Sequence, residues 1–394
     1  MRFKTLLAGA AALAWMLLAQ PALGARVWTS DFGLTRYEAG PGEINTVKIL
    51  HTLDAVFITD LTATITVQTS SCTSVSPNEV RCDSLGKVLA GDRADSVDVE
   101  RASDLPAGHS HFRSVYGGPG PDTLIGGDYP ILLNGGPGDD RLVGRSGFQD
   151  LRGSEGEDSL EGGPGDDHLR GGPGNDSLAG GPGFDLVDYS DHTTPVNISL
   201  DGRANDGATG AGELDWIHAD VEDAYGSRGR TIFIGNAGRN FFGGRSDGGD
   251  VVRTGAGDDF VLAGPGPDVV YGQGGNDGLF GGRGRDVLSG GPGGDFLEGN
   301  RGADLILGGR GNDLLLGLRG ADDLRGGSGD DRLWGGYEND TIRGGPGRDR
   351  LRGERGSDVF YARDRSRDQV DGGRGTDRAH VDSIDVLLRI EVRF

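Results

Sequence analysis

The sequence predicts an all-β protein built as a solenoid of nine-residue units. Three observations carry this expectation. Between residues 254 and 361 one nonapeptide recurs twelve times in phase, starting at Thr254 and Ala263 and then at every ninth residue from Gly272 to Gly353. Its sixth position is always aspartate: Asp259, Asp268, Asp277, Asp286, Asp295, Asp304, Asp313, Asp322, Asp331, Asp340, Asp349 and Asp358. Its eighth position is always apolar, from Val261 to Phe360, and its fourth is glycine except at Glu338. Side chains alternate across a strand, so the apolar eighth residue marks a short strand with one inward side chain. Glycines at fixed places supply tight loops that need positive φ. With 76 glycines in 394 residues, composition alone fits a disordered acidic tract. Register held over twelve units is not an effect of composition.

The unit reads Gly-Gly-x-Gly-x-Asp-x-apolar-x, a pattern tied to calcium-binding parallel β-helices. Calcium takes six to eight oxygen ligands, and a tight glycine loop offers carbonyls to which the aspartate adds a charged oxygen. On these residues the chain resembles the RTX, or haemolysin-type calcium-binding repeat, family. The resemblance implies a right-handed parallel β-roll in which two units make one turn. Calcium ions would sit between successive loops along both edges, held by sixth-position aspartates and loop carbonyls. The metal would be structural, and the roll would stay loose without it.

In chain order, residues 1–24 read as a secretory signal peptide, with Arg2 and Lys4 before the apolar stretch Leu6 to Leu18 and small residues near Gly24. The apolar stretch is short of the ~20 residues a spanning helix needs. Residues 25–107 are expected to form a small β-rich cap at one end of the roll, with strands at Thr46 to Leu50, Ala55 to Thr59 and Thr62 to Val67. A separate binding module is the rival reading. Cys72 and Cys82 would form a disulfide in an exported chain.

Residues 108–188 hold a first array of eight units. Six carry the ligand aspartate: Asp122, Asp140, Asp158, Asp167, Asp176 and Asp185. Ile131 and Gln149 stand there in the second and fourth units, so one edge is expected to be calcium-poor near its start. Residues 189–225 break the period as an interruption or linker, with a strand-like Val196 to Leu200, a loop-like Asn205 to Gly212 and an acidic run from Glu213 to Asp223. A second array spans 226–361; its first units have Thr231 and Asn240 in the ligand place, and a slip near Gly243 precedes an incomplete unit with Asp250 there. Residues 362–394 form a C-terminal cap that includes a last worn unit ending at Asp377.

Catalysis has no support. No His-Glu-x-x-His occurs. Gly244-Arg245-Ser246-Asp247-Gly248 matches a nucleophile elbow, but nothing around it reads as the strand and helix the elbow requires. His109 and His111 read as solvated surface. The formal charge of −22 argues against nucleic acid as a partner. Outward positions seven and nine are less generic. They carry Arg325, Arg332, Arg343, Arg350 and Arg352, and just upstream Leu305, Leu307, Leu314 and Leu316. Such faces suit an anionic polysaccharide, a cell surface or another roll; salt bridges between rungs and extra packing are the plainer alternative. The expected protein is a secreted, extracellular bacterial β-roll that binds calcium and has no enzymatic activity. A surface adhesin or matrix protein, or an accessory module of a polysaccharide-modifying enzyme, is the alternative.

Overall fold

The computed structural model describes residues 95–101, 114–210 and 212–393, and the backbone of eight strands between Arg26 and Leu89. It is an all-β parallel solenoid. Successive strands go to two facing sheets in alternation, so each strand pairs with the one eighteen residues on. In the first sheet Val261 registers with Leu279, Leu279 with Leu297, Leu297 with Leu315 and Leu315 with Leu333. In the second, Val270 registers with Leu288, Leu288 with Ile306, Ile306 with Leu324 and Leu324 with Ile342. These eighth-position side chains fill the space between the sheets, and all of them are fully buried. Positions seven and nine face outward, half-buried or exposed, as in the strand Leu305–Arg310.

Loop conformation explains which glycines are exchangeable. Position four holds Gly293, Gly302 and Gly356 at φ of 157°, 155° and 156°, a region in which a Cβ does not fit. Position two holds Gln273, Asn300, Leu318 and Glu354 at φ of 73–76°, within the left-handed well that side chains reach at a cost. This is why position four is nearly invariant along the chain and position two is not.

The interruption does not sever the roll. The first sheet runs straight across it, with Val187 in register with Ala224, Ala224 with Phe242, and Phe242 with Val261. The second sheet is carried by an inserted hairpin. Ser177–Ala179 pairs with Asp215–Ile217, which pairs antiparallel with Ala204–Ala208. That strand pairs antiparallel with Val196–Ser199, and the parallel order resumes at Thr231–Ile234. Part of the stretch expected as a loop, Asn205 to Gly212, is thus the reversed strand. Its buried Gly207 and Ala208 pack under the roll, a signal too short to stand out in sequence.

The roll continues into the N-terminal region. Lys87–Leu89 pairs parallel with Ser114–Tyr116, and Ser96–Arg101 with both Thr123–Ile125 and Thr46–His51. Beyond that an antiparallel meander leads from Thr46–His51 through Val56–Asp60 and Glu79–Cys82 to Cys72–Ser76. Cys72 and Cys82 are direct register partners in it. Of the expected strand Thr62 to Val67 only Thr66–Val67 is among the described residues. The expected signal peptide, His109 and His111 lie outside them. Among the described residues no helix is long and apolar enough to cross a membrane.

Candidate metal centre

Each sixth-position aspartate sits at the end of a loop, immediately before its strand, and its side chain turns inward under the loop. All eighteen predicted ligand aspartates are at most 2 % exposed. Along one edge Asp259, Asp277, Asp295, Asp313, Asp331 and Asp349 follow one another; along the other come Asp268, Asp286, Asp304, Asp322, Asp340 and Asp358. The link is the same at every rung. The backbone N–H of Asp277 donates to Asp295 Oδ1 at 2.8 Å, that of Asp304 to Asp322 Oδ1 at 2.8 Å, and that of Asp140 to Asp158 Oδ1 at 2.8 Å.

One carboxylate oxygen is therefore satisfied and the other is not. The Oδ2 atoms of all eighteen are buried without a hydrogen-bond partner. A buried polar atom left unsatisfied is costly, and a whole column of them asks for a partner that supplies positive charge. The space around Oδ2 exists because position one lacks a side chain. A Cβ at Gly308 would stand 2.4 Å from Asp313 Oδ2 and 2.5 Å from the Gly326 carbonyl oxygen of the next turn. No three carboxylate, imidazole or thiolate groups converge at one point among the described residues. A cation here would draw most of its oxygens from the backbone.

Gln149 shows where those oxygens are. It replaces the aspartate in the fourth unit and is fully buried. Its amide nitrogen faces four carbonyl oxygens from two successive loops: Gly127 at 3.4 Å, Tyr129 at 3.1 Å, Ser146 at 3.4 Å and Gly147 at 3.3 Å. A neutral N–H₂ group thus stands inside a cage of carbonyls. Such a cage, joined by a carboxylate oxygen, is the hard, oxygen-only donor set that suits calcium. Asn240 does the same on a smaller scale, donating to the Glu222 carbonyl at 2.8 Å.

Electrostatics agree with a site built for a cation. Burial pushes Asp122, Asp176 and Asp340 up to about 8, against the lowering pull of the N–H each accepts, and neighbouring aspartates raise them further. Burial likewise holds Asp167, Asp331 and Asp358 at about 6.

The ladder also contains residues beyond these eighteen, among them Asp250, in the ligand place of an incomplete unit, and Asp377, in the last worn unit. Asp250, Asp368 and Asp377 continue it as N–H acceptors, each with a buried partnerless Oδ2. Glu222 accepts the Asp185 N–H at 3.0 Å, and Glu391 and Asp385 close the two edges at the C-terminal end. At the interruption the ladder runs from Asp176 to Asp215, and there the second oxygen is not bare. The Tyr189 hydroxyl donates to Asp215 Oδ2 at 2.7 Å. Beside it His192 lies between Asp191 at 2.8 Å and Glu213 at 3.3 Å. Burial depresses the imidazole, but the two carboxylates outweigh it and raise it to about 10, so this rung carries its own cation.

The outward candidates divide. Arg325 and Arg343 share Asp323, the former at 2.7 Å, and Arg352 stands 3.5 Å from Glu354. Arg332 and Arg350 are register partners without an ion pair among the described residues. Leu305 and Leu307 lie on the second sheet and Leu314 and Leu316 on the first, all half-buried. Ser246, the centre of the elbow-like motif, is fully buried and donates to Asp250 Oδ1 at 3.1 Å, so it supports the ladder.

Comparison with known proteins agrees with this geometry. The model of the RTX calcium-binding nonapeptide repeat matches residues 116–148, 152–187, 245–279, 253–288, 289–324 and 325–360. No curated protein matches the chain.

Proposed function

We propose, from the match of its repeats to the RTX calcium-binding nonapeptide repeat, that calcium is the partner of the eighteen sixth-position aspartates and that the roll folds on binding it. The observation that carries this is the double column of buried Oδ2 atoms beside loop carbonyls. The residues that would hold the ion are the aspartates, with the carbonyls of the flanking glycine loops. The ion supplies the charge that lets both columns stay ionised while buried. Extracellular calcium modules typically bind at ~0.1–1 mM, which matches a chain exported to where calcium is abundant. The signal-like residues 1–24 support secretion from a bacterial cell. On the same reading residues 25–107 cap the roll, and a Cys72–Cys82 disulfide staples the meander, because direct antiparallel partners have Cα spacings a disulfide can span.

Far-ultraviolet circular dichroism against free calcium, with magnesium as control, tests the proposal. A cooperative coil-to-β transition with calcium alone is the expected result. A β-rich spectrum in chelator that ignores calcium would overturn it.

A partner on the outward faces is a second part of the reading. An acidic polysaccharide, a cell surface or another roll would suit a surface or matrix protein, and the arginines left without ion pairs favour the polyanion.

A further inference from the structure

The first sheet carries a groove of about 790 Å³ along the edge where the chain enters its strands, between Asn312 and Gln369. Four arginines line it: Arg332, Arg348, Arg350 and Arg367. All four are exposed, and none has an ion pair or side-chain hydrogen bond among the described residues. That sets them apart from Arg325, Arg343 and Arg352, which carboxylates occupy, and from Arg319 and Arg355, which lie over the Tyr337 ring at 5.8 and 5.1 Å. Arg332 and Arg350 are direct register partners, so their chains leave adjacent strands ~4.8 Å apart. Like charges placed so are unfavourable unless something lies between them. The exposed carboxylate of the groove is Asp330, whose Oδ1 accepts the Arg348 N–H at 2.9 Å. Beneath lie the buried ladder residues Asp313, Asp331 and Asp349.

We propose that this groove binds a linear acidic polysaccharide along the roll axis. The inference rests on the calcium reading in one respect: the floor aspartates are compensated only when their cations are in place, so the groove is anion-selective in the calcium-loaded roll. Guanidinium forks match planar carboxylates and sulfates in two-point contacts. The neutral amides of Asn312 and Gln369 stand at the groove's two ends and offer hydrogen bonds to hydroxyl groups. A single file of anions fits cations repeated rung by rung. Duplex nucleic acid is disfavoured by the field of a chain carrying −22.

The test uses the calcium-loaded full chain and oligosaccharides of hyaluronate (carboxylates) and dextran sulfate (sulfates), with neutral dextran and single-stranded DNA as controls. The two acidic probes show which anion is preferred. Hyaluronate or dextran sulfate binding that weakens with salt and falls about tenfold or more in R332S/R350S, while changing less than about twofold in R325S/R343S, is the expected result. Equal loss in both double variants, or loss in neither, overturns the assignment of the groove. Binding of DNA or neutral dextran as tight as that of the acidic glycans overturns the ligand class. Circular dichroism on the same samples separates the two readings. If the wild type ignores calcium yet binds through Arg332 and Arg350, the folding proposal and the groove's dependence on calcium fail, and the assignment of the acidic glycan to these arginines stands.

Discussion

The amide nitrogen of Gln149 stands 3.1 Å from the carbonyl oxygen of Tyr129, on the preceding turn of the same edge. It fills a carbonyl cage that, on the proposed reading, the other units would offer to a cation. Gln149→Asp restores the unit's acidic pattern and should add one calcium ion to the stoichiometry found by isothermal titration calorimetry. An unchanged ion count would mean that the cage is not a metal position.

Asp322→Ala removes one Oδ2 and also deprives the Asp304 N–H of its acceptor. Hydrogen bonds to charged groups contribute ~1.5–3 kcal/mol, so the calcium midpoint should rise about ten- to hundredfold, with lower cooperativity. Asp323→Ala, at the neighbouring outward position, should leave the midpoint within about twofold; equal effects would argue against a buried ladder.

Gly326→Ala probes the cradle itself. The new Cβ would lie 2.3 Å from Asp331 Oδ2 and 2.7 Å from the Gly344 carbonyl. The carboxylate must move, and the melting temperature in saturating calcium should drop by an amount equivalent to ~1–3 kcal/mol. Gly274→Ala, where a Cβ meets nothing, is the matched control.

Acidity should act in opposite directions on the two states. The ladder carboxylates are raised in the metal-free fold, to about 6 for Asp331 and about 8 for Asp340, so that fold binds protons that the unfolded chain releases. Its stability is greatest at low pH and is lost as pH rises through 6 to 8. Calcium needs the ionised form, so its midpoint should move to higher concentration as pH falls from 8 to 5.5. Calcium titrations followed by circular dichroism at the two pH values check both signs. A midpoint independent of pH would exclude these carboxylates as ligands.

The apolar column and the eighteen aspartates were legible because both repeat at fixed spacing, and a solenoid converts spacing directly into stacking. The ladder's other members were hidden where spacing changes. Asp215 follows Asp176 by 39 residues because a hairpin is inserted between them, and Glu222 serves with a longer side chain. Nor did the sequence distinguish Arg325 from Arg332. Both are outward, but only Arg325 has Asp323 two residues away on the same face of its strand, and only registration shows Arg343 converging on that carboxylate.

Every ladder bond points one way along the chain: an N–H donates to a carboxylate later in the sequence, eighteen residues on in the regular turns, never to an earlier one. A ribosome delivers the donor of each rung before its acceptor, so a rung is completed only when the next turn of its edge has arrived. The turn most recently delivered always lacks its acceptors, and only Asp385 and Glu391 end the wait. Cutting the chain after Asp313 would strand the Asp304 N–H, whose acceptor is Asp322, whereas cutting before it removes donors and leaves the remaining rungs intact. The ladder is therefore polar along the chain, and its two ends are unequal before any partner is met.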